Sequence, residues 1–212
     1  MRAGLRNFLP APVFTGAMQV REAIRTRRMV RSYRSDVPVP RKLIDDLLGL
    51  AVRAPSAGHT QGWQFVVLES AAARKRFWAV TADDDADSWL RRLKSAPVLV
   101  LCLSDKQAYL DRYAEPDKGW TDRDESRWPV PYWHIDTAMA GLLLLLGAHD
   151  AGLGACFFGV PPERIDPLRR EFDLDPRLFP VGIVSMGAPA PDVRSPSLRR
   201  GRRPLAEVVS YL

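Results

Sequence analysis

Cysteine is scarce in this chain. Its 212 residues hold two, Cys102 and Cys156, each inside an apolar run and neither in CxxC spacing. That count argues against a disulfide framework, and the spacing argues against a zinc site. A reducing cytoplasm fits it. Long apolar runs are missing as well. The longest, AMAGLLLLLGAHDAGLGACFFGV (138–160), is broken by His149 and Asp150 and dotted with glycine, whereas a membrane span needs about 20 uninterrupted apolar residues. It reads as a buried helix followed by a buried strand. The start, MRAGLRNFLPAPVFTGAM, carries Arg2 and Arg6 but no continuous apolar core, so no secretory signal is expected. Residues 1–17 read as an extension, either an arm or a tail ahead of an alternative start at Met18. There is no GxGxxG after a strand, no GxxxxGK[ST], no HExxH and no internal repeat. GLGACFFG is glycine-rich but does not fit the dinucleotide pattern. Nor does the chain show a paired acid and base or a nucleophilic triad.

What is present points to a soluble globular protein: 46% hydrophobic and 26% charged residues, enough for one α/β domain with a sizeable core or two very small ones. The net charge is +6. Its arginines concentrate in REAIRTRRMVRSYR (21–34) and RSPSLRRGRRP (194–204). Two cationic segments in one small fold repel unless an anion sits between them. A nucleic-acid surface would interleave aromatics with the arginines, and Tyr33 is the one aromatic near either cluster, so no nucleic-acid partner is expected.

Periodicity places the elements. Residues 19–26 form a short helix. The stripe Leu43, Ile44, Leu47, Leu48, Leu50, Ala51 marks a helix over 40–53, with Pro40 in its first turn. QFVVLE (64–69) is a strand. Residues 70–80 and 86–94 are helical around the acidic turn DDDAD. APVLVLCLS (96–104) is nearly all apolar, as a strand buried on both faces is. Asp136 opens an apolar helix to about His149. ACFFGV is strand or loop, PPERIDPLRREF a helix, FPVGIVSMG (179–187) a strand, and the tail is extended with a turn near 205–209. Residues 105–132 are polar and aromatic, long for a loop, and so a lid or partly helical.

Three stretches then carry a resemblance. RTRRMVRSYRSDVPVPRKLIDDLLGLAVRAPSAGHTQGWQFVVL resembles the start of a nitroreductase-family flavoprotein: an RRSxR-type segment, an amphipathic helix, a PSxxNxQPW-type turn and a strand. YWHIDTAMAGLLLLLGAHDAGLGACFFGVP is similar to the family's central helix and GLG-containing turn. VGIVSMGAPA and RRGRRPLAEVV are similar to its closing strand and basic tail. The match spans roughly 18–210. It implies an α+β, three-layer fold, a central mostly antiparallel sheet flanked by helices, in an intertwined homodimer. It further implies one FMN-binding domain over 18–212, with 105–132 a variable cap.

By the same resemblance, Arg27, Arg28 and Arg31 meet the FMN phosphate or ribityl chain, and Arg200 and Arg202 close on the phosphate. Ser56, Ala57, His59 and Gln61 contact the flavin from the partner subunit. The Phe158–Gly159 backbone faces the reactive ring nitrogen. The implied activity is electron transfer from NADH or NADPH, through FMN, to a nitroaromatic or quinone-like small molecule in ping-pong fashion. Deazaflavin-linked chemistry, flavin fragmentation and a flavin carrier without turnover are the alternatives. No metal and no membrane enter. The chemistry of the residues agrees: arginine binds phosphate oxygens in bidentate fashion, and Arg27 and Arg31 share a face if that segment is helical. Three positions depart from the family pattern. Met29 replaces a small hydroxyl residue and removes a hydrogen bond. His59 replaces an asparagine but still offers a ring nitrogen. Gly62 replaces a proline and loosens the turn.

Overall fold

The structure is a computed structural model that describes residues 18–82, 88–193 and 195–212. The extension at 1–17 and the acidic turn at 83–87 lie outside the described residues. The chain builds a four-stranded sheet from β1 (Trp63–Leu68), β2 (Val98–Asp105), β3 (Gly154–Phe158) and β4 (Leu178–Gly187). Their order is β1-β2-β4-β3, and every pair is antiparallel.

β2 is buried from Val98 to Ser104, and its alternation divides the core. Leu99, Leu101 and Leu103 point toward Phe77 of helix α3 (Ala71–Thr81) and Leu168 of helix α7 (Pro162–Glu171). Val98, Val100 and Cys102 point toward Ile44 and Leu47 of α2 (Arg41–Ala51) and Leu144 of α6 (Tyr132–Asp150). A strand with helices on both sides needs apolar side chains on both faces. That is why β2 reads as a continuous hydrophobic run. The result is the three-layer α+β arrangement expected.

Caps set the helix ends. Ser70 accepts the Ala73 N–H at the start of α3, and Asp105 accepts the Ala108 N–H at the start of α5 (Lys106–Ala114). α1 (Val20–Thr26) and α4 (Ser88–Leu93) complete the set. α6 starts at Tyr132, behind Pro131, one turn before the expected opening at Asp136. Asp136 is not a cap; it is 2% exposed. Residues 105–132 are not a bare loop either. They hold α5 and a 3-10 turn at Glu125–Arg127, and Tyr109, Tyr113, Trp120 and Trp128 pack against one another at centroid separations of 4.5–5.9 Å.

Two features of this frame have consequences below. The outward side of α6 carries Ile135, Ala138, Met139, Leu142, Leu143 and Leu146, with Ile135 39% and Leu142 48% exposed. The Phe157 ring is slotted between α6 and β4: a Cβ added to Gly182 would lie 2.1 Å from its Cζ, and one on Gly141 3.0 Å from its Cε2. Gly182→Ala is therefore an overpacking change, expected to cost about 1–3 kcal/mol. A urea midpoint equal to that of the parent would show that the ring can move aside.

Candidate functional site

The first arginine segment leaves the helix after Thr26 and is extended from Arg27 on. α1 ends at Thr26, and Arg27 has φ −55° and ψ 132°. The helix expected over 19–26 ends where the sequence places it, and the i, i+4 face that Arg27 and Arg31 would share in a helix does not form. The cause is the sheet. Val30 donates its N–H to the Ala155 carbonyl at 2.9 Å, Met29 bridges Ala155 and Tyr33 bridges Pro189, so the segment is drawn out along the edge strand β3. Met29 packs against both halves of the core, and its Sδ lies 3.5 Å from the Phe157 N–H. Arg27 and Arg28 line a cavity of about 280 Å³ together with Thr26, His149 and Gly154. The Nη1 of Arg27 is buried and has no hydrogen-bond partner among the described residues. A buried donor of this kind is costly unless a ligand or water meets it. Arg31 is close by: burial raises the Cys156 thiol's pKa, and Arg31 and then Arg27 act against that rise. The Arg31 N–H is held by Asp192 at 2.8 Å.

The Ser56–Gln61 turn is the second component. Gly58, His59 and Gln61 have φ of 61°, 54° and 55°. Left-handed backbone at non-glycine residues persists only where its surroundings enforce it, and here they do. Asp136 accepts the Ala57 N–H and the Tyr109 hydroxyl, each at 2.8 Å. Ser56 Oγ accepts the Gln61 N–H at 2.9 Å, and Arg112 Nε donates to the Gly58 carbonyl at 3.0 Å. Asp117 holds Arg112 through two bonds of 2.7 and 2.8 Å. Burial first, then Asp136, raises the Tyr109 pKa above the usual phenol value, so Tyr109 stays a donor. Gly62 does not loosen this turn. A Cβ there would meet Tyr109 Cε2 at 2.5 Å, so glycine permits close packing. His59 and Gln61 keep exposed side chains above the fixed backbone.

The third component is the end of β3. The Phe158 ring turns inward and stacks on Trp78, at 5.8 Å between centroids and 11° between planes. Gly159 follows with nothing within 4 Å of an added Cβ, which leaves its backbone open. At about 3.3 Å per residue, Gly159 lies roughly 13 Å along the strand from Ala155, beside which Arg27 and Arg28 stand.

The tail stands apart. Arg200 and Arg202 are exposed, and among the described residues no hydrogen bond or ion pair ties them to Arg27, Arg28 or Arg31. Arg203 pairs with Glu207 at 3.3 Å. Leu198, Leu205, Val208 and Tyr211 are 66%, 68%, 54% and 89% exposed. So one chain brings Arg27, Arg28 and Arg31 near the start of β3, while the 56–61 turn is fixed near the start of α6. Asp136 and His149 are thirteen positions apart on α6, roughly 20 Å at 1.5 Å per residue. Sequence reading missed Asp136, Tyr109 and Arg112 as supports of the turn. The available signal was a carboxylate, Asp136, set directly before the long apolar run of the helix. A larger cavity, about 470 Å³, lies among Lys106, His134 and Arg177. Its Lys106 and Arg177 are already paired with Glu125 and Asp175, so it offers less to an anion than the Arg27 cavity does.

The Nitroreductase family model matches residues 24–188. The chain belongs to the nitroreductase family. Members are oxidoreductases, and this chain is 30% identical over 176 residues to a Methanothermobacter thermautotrophicus protein described as an NADH dehydrogenase/NAD(P)H nitroreductase, covering 82% of this chain and 78% of that one. A nitroreductase family protein from Clostridium difficile shares the fold at 24% identity, with TM-score 0.67 and 92% and 98% of the two chains covered. A nitroreductase from Exiguobacterium sibiricum, solved in complex with FMN, shares it at 19% identity, with TM-score 0.69 and 94% and 100% covered.

Proposed function

We propose that this nitroreductase-family chain is a cytoplasmic, homodimeric, FMN-dependent oxidoreductase that passes electrons from NADH or NADPH to an electron-poor nitroaromatic or quinone-like small molecule. The observation that carries the reading is the unpartnered Arg27 Nη1 at one end of β3, with the bare Gly159 backbone at the other. The residues suit the cofactor. A phosphate monoester carries about −1.5 to −2 charge at neutral pH, and Arg27, Arg28 and Arg31 supply cations and donors for it and for the ribityl chain. Arg200 and Arg202, on an exposed tail, close over the phosphate. The Phe158–Gly159 backbone gives the ring edge a close approach that no side chain obstructs.

FMN held there would supply the hydride- and electron-transfer chemistry. The chain's own part is to position the ring, donate to it and add positive charge. The kinetics expected of such a site are ping-pong, with donor and acceptor visiting it in turn. The whole of 18–212 serves as a single FMN-binding domain. Within it, 105–132 is a cap fixed to the turn through Arg112.

The positions of the parts support a dimer. Ser56, Ala57, His59 and Gln61 sit near one end of α6 and the arginine cavity near the other. A second copy with its α6 antiparallel brings the turn of one chain beside the arginines of the other. The apolar stripe Ile135, Leu142, Leu146 and the apolar tail supply the surface; obligate interfaces bury upward of about 2,000 Å². Leu142→Arg is expected to yield monomers at micromolar concentration in sedimentation, with loss of bound flavin. A stable FMN-loaded monomer of the parent protein overturns the dimer. The function is tested by aerobic purification, an absorbance scan, and titration with NADH and with NADPH. The expected result is a yellow protein whose flavin band bleaches with reductant. A chain that takes up no FMN on reconstitution ends the proposal, and a flavin band that no nicotinamide bleaches reduces it to a carrier.

A further inference from the structure

β4 ends at Gly187, and the chain then runs antiparallel beside the arginine segment. Arg34 donates its N–H to the Ala188 carbonyl at 2.9 Å, Ala190 donates to the Ser32 carbonyl at 3.0 Å, and Tyr33 bridges Pro189. Val30 donates to Ala155 of β3. Between these pairings the Arg31 N–H finds no backbone carbonyl among the described residues. Its acceptor is Asp192 Oδ2, at 2.8 Å. Any acceptor oxygen satisfies a backbone donor. Here it is a carboxylate, set beside arginines assigned to an anion.

The Asp192 side chain is 10% exposed. Its Oδ1 is buried without a hydrogen bond among the described residues, and the Arg92 Nε, in the same condition, stands 3.6 Å away. At that separation the two charges attract but share no hydrogen bond. The bond Asp192 does make is the one to Arg31, and a charged acceptor makes such a bond roughly twice as strong as a neutral one. Burial raises the pKa values of the Cys156 thiol and the Tyr33 hydroxyl, and on both Asp192 adds to the rise while Arg31 opposes it. The two charges therefore stand around one point. The Arg31 guanidinium is not drawn in: among the described residues it donates only to the Met29 carbonyl, at 3.5 Å. Asp192 grips the backbone of Arg31 and leaves its side chain uncommitted.

We infer that Asp192 is a positioning residue for the phosphate end of the site: by accepting the Arg31 N–H it fixes the extended course of the segment from which Arg27, Arg28 and Arg31 reach an anion. The inference rests on the FMN reading for its purpose. Asp192 acts through this hydrogen bond, not through its charge or its attraction to Arg92.

The test compares Asp192→Ala, Asp192→Asn and Arg92→Ala in two ways: fluorescence titration of FMN and of riboflavin, and amide hydrogen exchange of residues 27–34 in the flavin-free protein. Asp192→Ala is expected to weaken FMN roughly tenfold, the worth of one bond to a charged group, and to leave riboflavin, which has no phosphate, nearly unchanged. Asp192→Asn keeps an acceptor oxygen without the charge, and its FMN affinity is expected to equal or exceed the parent's. Arg92→Ala should match the parent. In the flavin-free chain the Arg31 amide should exchange roughly tenfold faster in Asp192→Ala than in the parent, since exchange follows local opening, and Asp192→Asn should restore the slow rate. Asp192→Ser, whose shorter side chain withdraws the oxygen, takes the place of Asp192→Ala if that variant folds poorly. Equal losses of FMN and riboflavin in Asp192→Ala, equal FMN losses in the alanine and asparagine variants, a matching loss in Arg92→Ala, or an Arg31 amide whose exchange does not change overturns the inference. A parent that takes up neither flavin ends the FMN reading instead, and the exchange measurement still decides whether Asp192 holds the segment.

Discussion

Replacing Asp136 with alanine is expected to lower the unfolding free energy by roughly 2–6 kcal/mol, because it strands two donors at once at about 1–3 kcal/mol each. The Ala57 N–H and the Tyr109 hydroxyl both lose their acceptor. Two milder variants separate the contributions. Tyr109→Phe removes one donor together with its hydrogen bond, and the expected loss is about 1 kcal/mol. Asp136→Asn keeps an acceptor oxygen and falls between the two. Urea unfolding of the three variants, compared at constant slope, checks the order. The turn should respond as well as the global stability, since Ala57 begins the 3-10 segment in which His59 is left-handed. FMN is therefore expected to dissociate faster from Asp136→Ala even under conditions where the variant is fully folded. An Asp136→Ala protein within about 0.5 kcal/mol of the parent, the range of ordinary surface changes, would show that the carboxylate does not support the turn.

The second large effect concerns the tail. Arg200→Ala and Arg202→Ala are each expected to weaken FMN roughly tenfold to a hundredfold, the worth of one charge-assisted bond to phosphate. Riboflavin lacks the phosphate, so its affinity should hardly move. Arg203→Ala serves as the control, because Arg203 is already committed to Glu207 through a side-chain pair and a bond to the Glu207 carbonyl. Arg27→Ala should resemble the Arg200 and Arg202 variants. Fluorescence titration of both flavins decides the matter: equal losses for the two, or no loss for either, would mean that these arginines do not hold a phosphate.

Much of this was legible in the sequence, and the reasons are local. The run from Val98 to Ser104 showed a strand with helices on both sides, because such a strand has no solvent face to write in polar residues. The stripe Leu43, Ile44, Leu47, Leu48 showed one face of α2, and Pro40 showed its start. The three stretches that carry the family resemblance also brought the arginines, the turn and the Gly159 segment into view together. What stayed hidden depends on distant partners. Nothing near Arg27 reveals that its segment runs along β3, since the partner is Ala155. Gly62 read as a loose link because Tyr109, which crowds it, lies far along the chain. The start of α6 was placed at Asp136 because a carboxylate before an apolar run looks like a cap. Its acceptor role toward Ala57 appears only once the helix lies under the turn.

The division of β2 into two faces also settles the behaviour of the thiols. Cys102 points into the α2–α6 side and Cys156 into the opposite side, with exposures of 0% and 1%. Burial pushes the Cys102 thiol up to about 12 and raises that of Cys156 as well. At neutral pH neither presents an appreciable thiolate, the species that oxidants and disulfide reagents attack. The folded chain should therefore store in air without reductant and without mixed disulfides. Modification by a thiol reagent then becomes a clock. Its rate counts openings of the central sheet, from opposite faces, and the two cysteines should react together if the sheet opens as one unit.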